Sequence, residues 1–386
     1  MPAERPRPVA DCGMRPRPQA RLWSPLPNEP QLRLLQFVLS PVFDVAGFAA
    51  WSKTIGPQSL DEGSRRLLPS LYARLKTTGI EHPWLSAAWG MHARSLYRNR
   101  LLIQRGLLLI DRLAQSGISS LLLKGAALGP GYYADLGQRP MVDFDLMVPE
   151  ATPHRLVEDL LTADGGMKLR ERALHAHTYL DRDGLQYDIH WHLLPELAYK
   201  GSSRRLWDGS VPLQLEQENR MTLRAEDHVF HLLAHGLRIS DVPPLRWIVD
   251  ATVVLRARPA FDWRLLVDET RETATAIPVT RGLSFLVEQG FAGGGAIDAL
   301  GQLHALPKRR SDNYLFAGQM RQPSFHYSFF RPVLLYCRLR RLAGVSHVQG
   351  FGRFLVVLWD LKNRQQIPGA FLGKLGAKLK GWAALA

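Results

Sequence analysis

The chain has 386 residues, 46% hydrophobic and 22% charged, so its length suggests two or three domains and its composition excludes collagen-like, coiled-coil and wholly disordered proteins. Its two cysteines, Cys12 and Cys337, exclude a disulfide framework and a cysteine-rich zinc site, and they indicate a reducing compartment. The net charge of +14 divides into +3 in residues 1–22, +12 in residues 301–386 and −1 in residues 23–300. Because residues 23–300, the body of the chain, are nearly neutral, a nucleic-acid-binding protein is disfavoured.

The first 116 residues divide into a proline-rich arm and a helical region. Residues 1–30 contain eight prolines and five arginines, which predict a disordered arm because proline removes a backbone donor. Over residues 31–116 the apolar side chains recur at helical spacing, most clearly at 89–115. We find neither the apolar core of a secretory signal nor a stretch long enough to span a membrane, which favours a cytoplasmic protein.

Residues 117–205 have the pattern of an α/β core. Short apolar or alternating stretches predict four strands, at 118–123, 142–148, 174–180 and 185–193. Two helices are predicted between them, a short one ending near Tyr133 and an amphipathic one at 152–163. The pair Asp183-Gly184 separates the last two strands and is typical of a β-hairpin turn.

The remainder of the chain is predicted to be helical. A helical domain at 206–300 contains helices at 225–237, 244–256 and 261–289, and a basic helical region follows at 301–386. Residues 369–382 of that region read as a basic amphipathic helix, which either docks on the protein or binds an anionic membrane surface or an acidic partner. The predicted fold class is therefore α+β, a small mixed β-sheet flanked by N-terminal and C-terminal helical regions.

Three carboxylates fall on two of the predicted strands. Asp143 and Asp145 are two residues apart, so on a strand they share one face and repel each other unless a cation or water compensates them. Asp188 lies on a later strand. Three oxygen donors that converge on one point suit Mg²⁺ or Mn²⁺.

A strand-to-helix turn precedes these acids. At Lys124-Gly125 a glycine allows backbone N–H groups to approach a phosphate, and the helix N-terminus that follows favours an anion. This order of turn, helix, Asp-x-Asp strand and later carboxylate resembles the polymerase-β-like nucleotidyltransferase superfamily. Within that superfamily, residues 90–290 resemble an uncharacterised bacterial nucleotidyltransferase family through Lys124-Gly125-Ala126, Tyr133, Arg139, Asp143-Phe144-Asp145, Asp188-Ile189-His190-Trp191, Asp227-x3-His231-x3-His235 and Arg246-x3-Asp250.

The resemblance implies a metal-dependent transfer of a nucleoside monophosphate from an NTP, with ATP favoured, to a hydroxyl group, with release of pyrophosphate. Asp143, Asp145 and Asp188 would be the catalytic residues and would hold Mg²⁺ or Mn²⁺, and Asp188 would also take the proton of the acceptor hydroxyl. Nucleotide contacts would come from Lys124, Gly125, Ala126 and Arg139. The acceptor would be a small molecule, a peptide or a protein rather than nucleic acid, because the body of the chain is not basic.

Two alternatives stay open at this point. Ala126 stands where the family usually has Gly or Ser, so a nucleotide-binding scaffold without turnover is one alternative. The other is a zinc- or iron-dependent hydrolase that uses Asp188, His190 and His192. Further residues could support the site or could be purely structural: His190, His192, His231, His235, and the i,i+4 pair Arg246 and Asp250.

Overall fold

The computed structural model describes residues 24–321, 324–343 and 350–373. Most of the predicted proline-rich arm, and the C-terminal basic segment from residue 374, lie outside these residues. The described chain begins with five helices: α1 Glu29–Leu39, α2 Val45–Thr54, α3 Glu62–Arg65, α4 Leu68–Thr78 and α5 Trp84–Gln115. The first begins with a capping box, in which the side chains of Asn28 and Gln31 each accept a hydrogen bond from the other residue's backbone N–H. These helices agree with the helical region predicted at 31–116.

A single mixed sheet forms the centre of the molecule. Two helices lie between its first strands, α6 Lys124–Tyr132 and α7 His154–Thr162. The strands are β1 Leu121–Leu122, β2 Asp143–Met147, β3 Lys168–Arg172, β4 Ala176–Leu180, β5 Gln186–His190, β6 Val211–Leu215 and β7 Glu218–Thr222. Their order in the sheet is β3-β4-β5-β2-β1-β7-β6. The pairs β2–β5 and β1–β7 are parallel, whereas the other neighbours are antiparallel.

The predicted hairpin between residues 174 and 193 is confirmed. Strands β4 and β5 pair in antiparallel register, and Gly184 in their turn has a φ of +77°, which glycine adopts without strain. The strand predicted at 118–123 is shorter, since only Leu121 and Leu122 pair. Together with the flanking helices, the sheet confirms the predicted α+β class.

The sheet is larger than the sequence predicted. Strand β3 was not predicted, and residues 211–222, expected to be helical, form the β6–β7 hairpin beside β1. Strand β6 does alternate apolar and other residues, but it contains Pro212, and β7 is mostly polar and exposed, so the pair of strands was not recognised. One consequence is that the helices downstream of residue 224 are attached directly to the strand beside β1.

The helices after β5 pack against the N-terminal helices in one large apolar core. They are α8 Arg204–Asp208, α9 Ala225–Gly236, α10 Arg246–Ala257, α11 Trp263–Glu272, α12 Ala276–Glu288 and α13 Gly295–Ala305. The single helix predicted over 261–289 was wrong, because the chain forms α11 and α12 instead. Ala274 between them has a φ of +52°, and Pro278 in the first turn of α12 has no N–H to continue the hydrogen bonds of α11.

The last described helices form a smaller unit with its own apolar cluster. They are α14 Arg310–Gln319, α15 Phe325–Ala343 and α16 Phe351–Leu358. Buried Arg338 on α15 pairs with Asp312 and also donates to the backbone carbonyls of Thr273 and Ala274, so it connects this unit to the preceding helices. Within the described ranges, no helix combines the length and the hydropathy that crossing a membrane requires.

A glycine in α5 sets the distance between this helix and the strand that carries the Asp-x-Asp motif. Gly106 is buried, and a Cβ atom at this position would lie 2.2 Å from the Phe144 ring. Phe144, which separates Asp143 and Asp145 in the sequence, is fully buried, so its ring can move aside only by displacing other core side chains. The close approach of α5 to β2 therefore requires glycine at residue 106.

We predict that Gly106→Ala destabilises the protein by about 1–3 kcal/mol, because overpacking outweighs the better helix propensity of alanine. The matched control is Gly90→Ala on the same helix, where a Cβ meets no atom within 4 Å. This control should be neutral or stabilising by up to about 1 kcal/mol. Urea unfolding of both variants measures the difference, and equal stability of the two would contradict the packing argument.

Candidate functional site

The Asp-x-Asp strand and the later acidic strand lie side by side in the centre of the sheet. Strands β2 and β5 are parallel, and their register places Asp145 opposite Asp188 and Asp143 opposite Gln186. Because side chains alternate along a strand, these four residues lie on one face of the sheet. The amide of Gln186 donates to the Asp188 carboxylate at 3.2 Å. The register therefore brings together the three acids predicted from the sequence.

Lys124, the first residue of α6, approaches this face. Its φ is +43°, a left-handed conformation that is uncommon for a residue other than glycine. The ammonium lies 2.6 Å from Asp145 Oδ1. Burial would lower the pKa of Lys124, but the charges of Asp145 and Asp143 outweigh burial and raise it. The side chain thus supplies a permanent positive charge among the carboxylates.

The two acids of the Asp-x-Asp motif have opposite pKa shifts. Burial raises the pKa of Asp143, and repulsion by the Asp145 charge raises it further. Burial would also raise the pKa of Asp145, but Lys124 and His190 together lower it well below its usual range. Asp145 is therefore a carboxylate across the physiological range. Its Oδ2 atom is buried and has no hydrogen-bond partner among the described residues.

The donor atoms closest to one another belong to Asp145, Asp188 and His190. Their candidate ligand atoms all lie within 4.8 Å of one another. Two carboxylates and one imidazole are a donor set that fits a divalent cation, and the unpartnered Oδ2 of Asp145 agrees with such a role. The sequence had placed His190 in a supporting position and Asp143 among the ligands. In the structure His190 belongs to the closest trio, and Asp143 lies on the same face outside it.

The first turn of α6 has no room for a side chain at its second residue. A Cβ atom at Gly125 would lie 2.7 Å from Arg139 Nη1 and 2.8 Å from the Met141 side chain, so this position requires glycine. No side chain caps the N-terminus of α6 in the described part of the chain, and its first-turn N–H groups cannot bond within the helix. The methyl group of Ala126 is buried in the core beneath the sheet. Only the backbone of Ala126 is therefore available to a ligand at the helix N-terminus.

Arg139 is held by an acid from the helical half of the molecule. Its Nε and Nη2 atoms each donate to the Asp250 carboxylate at 2.8 Å, and both side chains are buried. The Tyr133 hydroxyl donates to the same carboxylate at 2.6 Å. From the sequence, the spacing of Arg246 and Asp250 suggested an ion pair between them. Instead, Asp250 pairs with Arg139, and Arg246 donates to the Pro140 carbonyl at 2.7 Å. This leaves Nη1 of Arg139 beside Gly125.

A basic cleft of about 370 Å³ opens beside the carboxylates. Its charged and imidazole lining consists of Arg66, Lys124, Arg139, Arg238, Arg246, His228, His231 and His235, with Asp250 as the one carboxylate that the described lining includes. Burial and the Lys124 charge lower the pKa values of His231 and His235 well below the usual range, so both imidazoles are neutral. The buried Nε2 of His231 has no hydrogen-bond partner among the described residues. The excess of arginine and lysine makes this cleft suitable for an anion.

The hydrolase site considered from the sequence is not assembled as predicted. His192 follows the end of β5, and its Nδ1 lies 2.8 Å from Ser202 Oγ and 4.0 Å from Glu150. In the described structure the donor atoms grouped with Asp188 and His190 come from Asp145 instead. The sequence did not reveal Arg66, Arg238 or Gln186, because no local motif marks them. Each reaches the site through folding of a distant segment or through strand register.

Comparison with known proteins finds a matching family model and several similar solved structures. A family model described as an uncharacterised nucleotidyltransferase matches residues 64–288. A crystal structure of an antigenic nucleotidyltransferase-like protein from Paracoccidioides brasiliensis is 16% identical, with a TM-score of 0.33. That match covers 54% of this chain and 94% of that chain. No curated protein matches the chain.

We predict that Asp250→Asn destabilises the protein by about 3–5 kcal/mol, because it leaves the buried Arg139 guanidinium without a charged partner. The matched control is Asp183→Asn, which removes the exposed partner of Arg105 and should cost about 0–1 kcal/mol. Urea unfolding at pH 7 provides the comparison. If both variants lose the same stability, the Arg139–Asp250 pair does not hold the two halves together.

Proposed function

This chain belongs to the uncharacterised nucleotidyltransferase family, and from that premise we propose that it transfers a nucleoside monophosphate from an NTP to a hydroxyl group. The observation that carries the proposal is the register of β2 and β5, which places Asp145 beside Asp188 on the face approached by Lys124. Lys124 begins α6, the helix that precedes the Asp-x-Asp strand along the chain. Carboxylates that can hold a cation, near a helix N-terminus that favours an anion, are suited to phosphoryl chemistry.

The cation of the reaction would be Mg²⁺ or Mn²⁺, held by Asp145 and Asp188 with Asp143 on the same face. When bound, it supplies positive charge to the oxygen atoms that attack and leave at the reacting phosphorus. The buried Asp145 is well suited to this task, because Lys124 keeps it ionised in the folded protein. Lys124 itself lines the basic cleft, so its ammonium can contact a phosphate as well as a carboxylate.

The triphosphate would lie between the N-terminus of α6 and the cleft. The backbone N–H groups of Gly125 and Ala126 lie in the first turn of that helix, where the helix dipole favours an anion. The Nη1 atom of Arg139 borders the same turn. Arg246 has no carboxylate within ion-pair distance in the described chain, and it adds a positive charge to the cleft wall. These groups bind and orient the phosphates.

Asp188 would accept the proton of the acceptor hydroxyl. It is half-buried, whereas Asp145 is fully buried and paired, so Asp188 is the carboxylate that an acceptor reaches more easily. The hydrogen bond from Gln186 orients its carboxylate. As the acceptor oxygen forms its bond to the α-phosphorus, the bond between that phosphorus and the bridging oxygen to the β-phosphate breaks. Pyrophosphate leaves, and the hydroxyl proton passes to Asp188.

We favour ATP as the nucleotide and a small-molecule, peptide or protein hydroxyl as the acceptor. The basis for excluding a nucleic-acid acceptor is electrostatic. Residues 23–300, which contain the sheet and the cleft, carry a net charge of −1, whereas a groove that follows a phosphate backbone is basic along its length. The cleft brings together five arginine and lysine side chains, which suits a single triphosphate.

We predict that Asp145→Asn and Asp188→Asn each lower nucleotidyl transfer by about 10²-fold or more, because each removes charge that acts on the reacting phosphate. The assay uses NTP labelled at the α-phosphate, Mg²⁺ or Mn²⁺, and a cell extract as the source of acceptor. Asp159→Asn, an exposed acid on α7, is the matched control and should retain activity.

The position of the label distinguishes the alternatives. Label on an acceptor, with release of pyrophosphate that both site variants lose, supports transfer. Metal-dependent NTP binding without transfer would support the nucleotide-binding scaffold. That alternative arises because Ala126 replaces the usual Gly or Ser, and its side chain is buried. The absence of NTP binding in the wild-type protein would overturn the proposal.

A further inference from the structure

The His190 ring lies between two oxygen atoms, one near each ring nitrogen. Its Nε2 lies 3.1 Å from Asp145 Oδ1, and its Nδ1 lies 3.4 Å from the backbone carbonyl of His192. The side chain is buried at the end of β5, on the same sheet face as Asp188. Both ring nitrogens therefore face oxygen atoms that accept hydrogen bonds.

A neutral imidazole has one N–H group, so it cannot donate to both oxygens. In the tautomer with the proton on Nδ1, this N–H donates to the His192 carbonyl and the Nε2 lone pair is directed at the carboxylates, where it can bind a cation. A divalent cation held by this lone pair and by the carboxylate oxygens would be attracted by all of them at once. Histidines that bind metals usually have this arrangement, in which the second ring N–H donates to a backbone carbonyl or a carboxylate.

The remaining donors complete a mixed site. Asp145, Asp188 and His190 present two oxygen donors and one nitrogen donor within 4.8 Å of one another. Asp145 is fully buried, and its Oδ2 has no partner in the described residues, which is unfavourable unless a ligand satisfies it. Mg²⁺ prefers oxygen ligands, whereas imidazole suits transition metals and binds them more tightly along the series from Mn²⁺ to Cu²⁺.

We propose that His190 binds the divalent cation directly through Nε2 and that it makes the site selective for a transition metal, here probed as Mn²⁺, over Mg²⁺. This inference rests on the proposed function in one respect, since it concerns the cation that the same carboxylates would hold. In the alternative, a protonated His190 donates a hydrogen bond to Asp145 and does not bind the cation.

The test measures Mn²⁺ directly by electron paramagnetic resonance in an imidazole-free buffer at pH 7.5, without nucleotide. In the wild-type protein, bound Mn²⁺ should show a ¹⁴N coupling from the imidazole in pulsed spectra. His190→Gln should abolish this coupling and weaken Mn²⁺ affinity about tenfold or more. Competition with Mg²⁺ should show that Mg²⁺ affinity changes less than Mn²⁺ affinity.

His192→Gln is the matched control, because His192 is the neighbouring histidine and its Nδ1 contacts Ser202 rather than the carboxylates. It should keep the ¹⁴N coupling and the Mn²⁺ affinity. If His190→Gln does not fold, as judged by circular dichroism, His190→Asp replaces it. That variant should bind Mn²⁺ without ¹⁴N coupling and shift selectivity toward Mg²⁺.

The outcomes separate this inference from the proposed function. Wild-type Mn²⁺ binding without ¹⁴N coupling, or coupling that survives in a folded His190 variant, overturns the role of His190 even if nucleotidyl transfer is observed. Absence of Mn²⁺ binding overturns it as well. A coupling that depends on His190 supports the metal site even if the α-phosphate assay detects no transfer, in which case the proposed function alone fails.

Discussion

The parallel pairing of β2 with β5 is the constraint on which the rest of the site depends. Its register sets Asp145 opposite Asp188 and leaves Phe144 and Tyr187 on the other face, where both are fully buried. A slip of one residue would exchange these faces, placing a tyrosine at the site and a carboxylate in the core. Burial of the aromatic residues therefore fixes the position of the acids. The contact of Gly106 with Phe144 extends this constraint to α5.

The acids can be buried because positive charge from several segments compensates them. Lys124 is the first residue of α6 and pairs with Asp145 at 2.6 Å. Arg139 and Arg246 come from the link before β2 and from α10, and both border the same cleft. Asp250 neutralises Arg139, so the net charge of the cleft stays positive without an isolated buried arginine. The sheet and the helical half are thus connected by charges as well as by apolar packing.

Local patterns predicted much of this arrangement, and the parts they missed depend on distant contacts. The Asp183-Gly184 turn and the spacing of Asp143 and Asp145 are local features, and the structure has the hairpin and the shared strand face that they predict. The β6–β7 hairpin is half-exposed, and only β6 alternates apolar and other residues, because β7 is mostly polar; its partner β1 comes from a distant segment that no local pattern indicates. The donor trio contains His190 because the register of β2 against β5, a contact between distant segments that no local pattern reveals, decides which side chains meet. Arg238 reaches the cleft from the end of α9, and no motif marks it.

The central claim is that the carboxylates of β2 and β5 bind a cation that helps to hold a triphosphate in the basic cleft. Calorimetric titration of a non-hydrolysable ATP analogue, with and without Mn²⁺, tests this coupling independently of the acceptor. The account predicts that Mn²⁺ strengthens binding of the analogue by about tenfold or more in the wild-type protein and has no such effect in Asp145→Asn. Binding that is the same with and without Mn²⁺ in the wild-type protein would contradict it.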